Sequence, residues 1–175
     1  MERAMRPAPA YAARMSNLND RLEVTGDGLR AARVAERAGA ELLGASLYEL
    51  HAGDEMVFHY HVQREELLIV LEGKLKLRTA VGWEELRVAF PRGECGAHGY
   101  RNDGDAPVRV LMISEMNGPN ISVYPDRNQV GVFDAGQRSQ WRFGALFNVA
   151  DAVADYGGQA KTVPPTPGPR SRRRD

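Results

Sequence analysis

The stretch "GDEMVFHYHVQREELLIVLEG", residues 53–73, constrains the fold of this chain more than any other. It holds two short runs of strand-forming residues, each carrying groups that bind cations. Side chains two apart on a strand face the same way, so His59 and His61 present both imidazoles to one side, with Tyr60 opposite. The connection "VQRE" resets the parity, and in the following run Glu66, Leu68 and Val70 share a face. A carboxylate that opens a strand and is directed into an apolar interior needs a partner, because burying it alone would cost many kcal/mol. A metal ion supplies such a partner. A third histidine, His98, follows the turn Pro91-Arg92-Gly93, with Tyr100 and Asn102 on its side if the segment is extended. Three neutral imidazoles and one carboxylate make a mixed nitrogen and oxygen site for a divalent first-row ion, leaving one or two positions open.

The surrounding segments are mostly strand-like. "GASLYEL" (44–50), "MVFHYHV" (56–62), "ELLIVLE" (66–72), "KLKLRT" (74–79), "EELRVAF" (84–90) and "PVRVLMISEM" (107–116) are rich in apolar and β-branched residues and end at Gly, Pro, Asn or Asp. Two more short strands flank Pro125 within 120–133. Strands at this spacing predict an all-β chain, an antiparallel sandwich or barrel rather than alternating β and α units. The alanine-rich segment 29–43 has helical propensity, although strand pairing could make it extended. Residues 145–158, closed by Gly157-Gly158, predict a short C-terminal helix.

The pattern resembles the cupin superfamily. Its first motif is Gly, five residues, His-x-His, three or four residues, Glu, six residues, Gly. Gly53, His59, His61, Glu66 and Gly73 fit it at every position, and the spacing to Gly73 selects Glu66 over Glu65. The second motif is matched by Pro91, Gly93, His98 and Asn102. Glu85 stands where its first glycine belongs, and the gap before His98 is four residues where the family has two. The loop before Pro91 is short. The resemblance covers roughly residues 42 to 116. It implies a cupin-type antiparallel β-barrel, the double-stranded β-helix or jelly roll. It also implies one divalent ion, Zn, Mn, Fe, Ni or Cu, held by His59, His61, Glu66 and His98. Cupins include dioxygenases, sugar-phosphate isomerases and epimerases, decarboxylases and non-catalytic binding proteins, and the fold does not choose among them. The expectation is a small-molecule metalloenzyme of dioxygenase or isomerase type, with a non-catalytic binding or sensing module as the alternative.

Length and charge set the frame around this domain. The 175 residues suit one core. Residues 1–20 are expected to be a flexible arm, 21–160 the barrel with its flanking strands and helix, and 161–175 a disordered tail. The tail, "KTVPPTPGPRSRRRD", is basic and leaves the body mildly acidic within a net charge of zero, so neither nucleic acid nor membrane is an expected partner. The longest apolar run, Leu67 to Leu71, is far shorter than the ~20 residues of a membrane helix. No signal peptide is evident, and the single Cys95 permits no internal disulfide, so a cytoplasmic location is expected. No Lys or Arg cluster beside the motifs marks a phosphate site. His51 reads as a surface residue, and Tyr124-Pro125-Asp126 as packing or as a closure of the barrel mouth. Exposed edge strands make a homodimer the expected assembly.

Overall fold

The computed structural model of the chain describes residues 22–25, 28–84 and 88–152. The expected arm (1–20) and tail (161–175) lie outside the described residues. Within them, strands run in chain order as β1 (Glu23–Val24), β2 (Arg30–Arg33), β3 (Leu43–Leu50), β4 (Glu55–His61), β5 (Glu66–Glu72), β6 (Lys76–Thr79) and β7 (Gly82–Glu84). They continue as β8 (Ala89–Phe90), β9 (His98–Arg101), β10 (Val108–Glu115), β11 (Asn120–Tyr124), β12 (Gln129–Phe133) and β13 (Gly144–Asn148). One sheet has the order β1-β2-β3-β10-β5-β8 and the other β13-β12-β11-β4-β9-β6-β7, all neighbours antiparallel. Consecutive strands β4 and β5 therefore belong to opposite sheets, which is the double-stranded β-helix arrangement. No helix among the described residues is long and apolar enough to cross a membrane.

The inner faces meet in one apolar core. Tyr48, Leu50, Leu68, Val108, Val110 and Met112 come from the first sheet, and Leu77 and Tyr100 from the second. Leu50 and Val110 are fully buried, and side chains of this size each contribute about 1.5–3 kcal/mol on burial. The core fills one end of the space between the sheets. Toward the other end the inward positions turn polar: Gly44, Ser46, Ser114 and Glu66 on the first sheet, His59 and His61 on the second. In register, Ser114 lies opposite both Gly44 and Glu66. The barrel thus has an apolar end that holds it together and a polar end that can bind something.

Two expectations are resolved by tertiary pairing. The alanine-rich segment 29–43 divides: Arg30–Arg33 pairs with β3, and only Val34–Arg37 forms a helical turn, α1. The turn covers the outer side of β3, where Ala32, Ala35 and Leu47 are all buried. The expected C-terminal helix does not form over the described part of 145–158. Residues 144–148 add to the sheet edge beside β12, and Val149–Asp151 make a single 3₁₀ turn. Backbone pairing to β12 outweighs the few tenths of a kcal/mol per residue that helix propensity offers. Residues 153–158 lie outside the described residues.

Candidate functional site

His59 and His61 reach the interior from the end of β4, His98 from the start of β9, and Glu66 from the first position of β5. Strands β4 and β9 pair directly, with His59 opposite His98. The tight β4–β5 connection then brings Glu66 across from the other sheet. His59, His61 and Glu66 offer ligand atoms that all lie within 4.8 Å of one another. Glu66 Oε2 is 3.2 Å from His61 Nε2 and 3.1 Å from His98 Nε2. The His59 ring centre is 4.9 Å from that of His61 and 4.7 Å from that of His98. His59, His61 and Glu66 therefore form one group, and His98 stands beside it at Glu66. Glu65 stays exposed outside the group.

Each imidazole is oriented by its other nitrogen. His59 Nδ1 donates to Val57 O at 2.8 Å and His98 Nδ1 to Gly96 O at 2.9 Å. His61 Nδ1 donates to Asn120 Oδ1 at 2.8 Å, and Ser122 Oγ lies 3.1 Å from the same nitrogen. A carbonyl oxygen only accepts, so Nδ1 carries the hydrogen and Nε2 keeps its lone pair. Three Nε2 lone pairs thus surround one carboxylate. His98 Nε2 is buried and, despite its closeness to Glu66, lacks the alignment of a hydrogen bond and has no partner. Acceptors gathered around an anion repel one another unless a cation sits between them. The donor set, with hydrogen-bonded outer nitrogens, fits a divalent metal ion.

Without a cation, protons take its place. Burial depresses His61, but the charge of Glu66 and the hydrogen bonds His61 donates to Glu66 and to Asn120 outweigh it and raise its pKa. Burial likewise pushes Glu66 up, yet His61 and His98 hold its carboxyl well below the usual carboxylate range. Burial, with the charges of His98 and His61, lowers His59 to about 3, so this ring is neutral across the physiological range.

The second motif explains its own irregularity. The two extra residues before His98 are taken up as a 3₁₀ turn, Glu94–Gly96, and Gly96 O is the acceptor that fixes the His98 ring. Phe90 stacks on His98 at 3.9 Å between ring centres and closes its other side. Asn102 is not part of the cluster. It is fully buried and ties the β3 end to the loop after β9, donating to Leu50 O and Ala106 O and accepting from Gly104 N. Strand pairing before Pro91 is kept by β8, whose Phe90 lies opposite Glu66.

The cluster opens into a cavity of about 680 Å³, large enough for a small organic molecule. Tyr124 stacks on His59 at 5.8 Å and lines this space, while Asp126 turns away to pair with Arg78. Tyr100 both packs in the core and borders the cavity. His51 is exposed beside Glu49, and Cys95 is exposed, remote in role from the cluster. The structure also supplies what the sequence did not show. Arg33, Arg64, Arg127 and Arg138 all line the cavity. They come from β2, the β4–β5 connection and two turns far along the chain, so no local run of basic residues announced them. Arg64 alone stood inside a motif, two residues before Glu66.

Residues 46–114 match the family model for the cupin domain. No curated protein matches the sequence. Among solved structures, a sugar phosphate isomerase of a cupin superfamily from Silicibacter pomeroyi is similar at 24% identity and a TM-score of 0.63. The match covers 75% of this chain and 83% of that one. A protein from Acidithiobacillus ferrooxidans, provisionally described as a sugar phosphate isomerase, is similar at 23% identity and a TM-score of 0.60, over 71% of this chain and 78% of that one. At these identities the likeness is one of fold. The matched residues contain every side chain of the His–Glu cluster, and the two sheets carry the expected double-stranded β-helix. Residues 46–114 are a cupin domain.

Proposed function

We propose that His59, His61, Glu66 and His98 hold one divalent metal ion, and that the protein is a small-molecule metalloenzyme of isomerase or dioxygenase type. The observation that carries this reading is the set of three Nε2 lone pairs around Glu66, with His98 Nε2 buried and unpartnered. When bound, such an ion polarises a carbonyl or enediol oxygen or activates a coordinated molecule. The protein's own part is to fix the ligands through Val57 O, Gly96 O and Asn120 Oδ1, and to leave the cavity side open. Phe90 on one side and the apolar core below keep water from the rear of the cluster.

Elemental analysis of protein purified without a histidine tag tests the site. The expected result is close to one equivalent of Zn, Mn, Fe, Ni or Cu, falling to background in His59→Ala and His98→Ala. Absence of metal in replete wild-type protein would overturn the reading. Turnover is then sought with the metal-loaded protein, sugar phosphates being the first compounds to assay. Metal binding without turnover of any substrate would favour a binding or sensing module.

We also propose a homodimer through the outer face of the first sheet. Leu43 on β3 and Ile69 and Leu71 on β5, the strands on either side of β10, are exposed at 51%, 37% and 46%. Light scattering should give twice the chain mass, and Ile69→Lys should give the monomer.

A further inference from the structure

One part of the cavity wall, on β2 and β3, is built from donors. Arg33, at the end of β2, donates from Nη1 to Ser46 Oγ and to Tyr48 OH, each at 3.0 Å, and its guanidinium lies 5.7 Å from the Tyr48 ring centre. Ser46 and Tyr48 share the inward face of β3 with Gly44. From Gly44 a row of paired residues runs through Ser114 to Glu66. The donor group and the cluster therefore border one cavity.

Three features mark this group as more than structural. First, among the described residues no carboxylate lies within ion-pair distance of Arg33. Arg30, three positions earlier on the same strand and facing outward, pairs with Glu49 at 3.3 Å. Second, a hydroxyl that accepts from a guanidinium keeps its own hydrogen, and among the described residues neither Ser46 Oγ nor Tyr48 OH donates to an acceptor. The wall thus presents a positive charge and spare donors. Third, Arg64 adds a second cation to the same cavity. It is only 4% exposed, donates to Met116 Sδ and Gly118 O and leaves Nε without a partner; among the described residues no carboxylate lies within ion-pair distance, Glu66 and Glu115 being the charges that act on it from farther off. Burial of this guanidinium with no carboxylate in direct contact is costly, and an anion in the cavity would offset part of that cost. The carboxylate of Glu36 also lines the cavity, but Oε1 already accepts from Ser139 N.

We propose that the cavity takes an anionic small molecule whose carboxylate or phosphate group is held by the Arg33 guanidinium and the hydroxyls of Ser46 and Tyr48, with Arg64 contributing charge. The proposal names the substrate class of the site above, and rests on the metal reading only for which end of the molecule reacts. Guanidinium and hydroxyl donors together suit an oxyanion, since each charge-assisted bond is about twice as strong as a neutral one.

The test uses inorganic phosphate and acetate as separate probes on tag-free protein, with chloride at equal ionic strength as control. Affinity is read by calorimetry and thermal shift, and metal content is measured on every sample. Phosphate or acetate should raise the melting temperature beyond chloride, and the stronger of the two identifies the anion. Arg33→Gln should weaken that probe about tenfold or more, equivalent to roughly 1.4 kcal/mol, with metal content unchanged. Should Arg33→Gln not fold, the pair Ser46→Ala and Tyr48→Phe serves instead, and must weaken the probe about threefold or more. Equal affinity in the variant and the wild type, or no effect beyond chloride, overturns the anion site. Loss of the metal reading shows separately, as absent metal with anion binding intact.

Discussion

His98 Nε2 stands 3.1 Å from Glu66 Oε2 without a hydrogen bond between them, and both are enclosed. The pair is close enough to share a cation and too poorly aligned to satisfy each other. Replacing Glu66 by Gln keeps the shape and removes the charge. Metal affinity should then fall by orders of magnitude, while folding of the metal-free form changes by less than a few kcal/mol. Competition titration with a chromogenic chelator measures the first and urea unfolding the second. Wild-type metal affinity in Glu66→Gln would show that the carboxylate is not a ligand.

The same enclosure makes the metal-free protein sensitive to acid. His59 titrates at about 3 when folded, against 6.5 for an ordinary histidine, because burial and the charges of His98 and His61 oppose its protonation. Between those values the unfolded chain takes up a proton that the folded chain refuses. Stability therefore falls as pH drops through this window, by up to about 1.4 kcal/mol per pH unit. Glu66 has the opposite requirement: its lowered value supports the fold above about 4.5 and is lost only in stronger acid. His61, with its raised value, supports the fold fully below 6.5 and loses that support as pH rises through it. From pH 6.5 to 4.5 the latter two contributions are constant. Urea unfolding of chelator-treated protein over this window should show a smaller loss in His59→Gln than in the wild type. Equal slopes would mean that His59 is not the group refusing the proton.

The barrel and the grouping of His59, His61 and Glu66 were legible because both rest on short-range pattern. Strand alternation puts His59 and His61 on one side, and the motif spacing separates Glu66 from Glu65. What was not legible depends on distant pairing. Ala-rich 29–43 became strand plus one helical turn because β3 lay beside it, and 145–148 became an edge strand because β12 offered free backbone groups. The cavity arginines share the same cause, since Arg33 meets Ser46 and Tyr48 only through the β2–β3 register. In the apolar run 67–71, Leu68 is core, but Val70, expected on its face, is 44% exposed beside the register shift at Arg109–Val110, and Ile69 and Leu71 are exposed too.

Asn102 illustrates a motif residue whose role is in the fold. Its amide makes three hydrogen bonds, to Leu50 O at 3.0 Å, Ala106 O at 2.8 Å and Gly104 N at 2.9 Å, at full burial. Asn102→Ala strands two carbonyls and one N–H, each costing about 1–3 kcal/mol where water cannot replace the amide. A loss of about 2–5 kcal/mol in unfolding free energy is expected, with metal stoichiometry retained in the folded fraction. Loss of metal without loss of stability would instead place Asn102 at the site.

Gly96 couples the second motif's turn to its histidine. A Cβ at this position would lie 1.7 Å from Pro91 O and 2.8 Å from Pro91 C, a collision with backbone that no side-chain rotation relieves. Gly96 O also holds the His98 ring through Nδ1, so any shift of the 3₁₀ turn moves that ring. Gly96→Ala should therefore destabilise the protein and weaken metal binding together. Gly104→Ala is the control, because its Cβ would meet only Asn102 Oδ1 at 3.4 Å and should leave the metal site intact. Metal affinity in both variants, read beside their melting temperatures, checks the coupling. A Gly96→Ala protein that melts early yet binds metal as tightly as the wild type would show that the turn supports the fold without setting the orientation of His98.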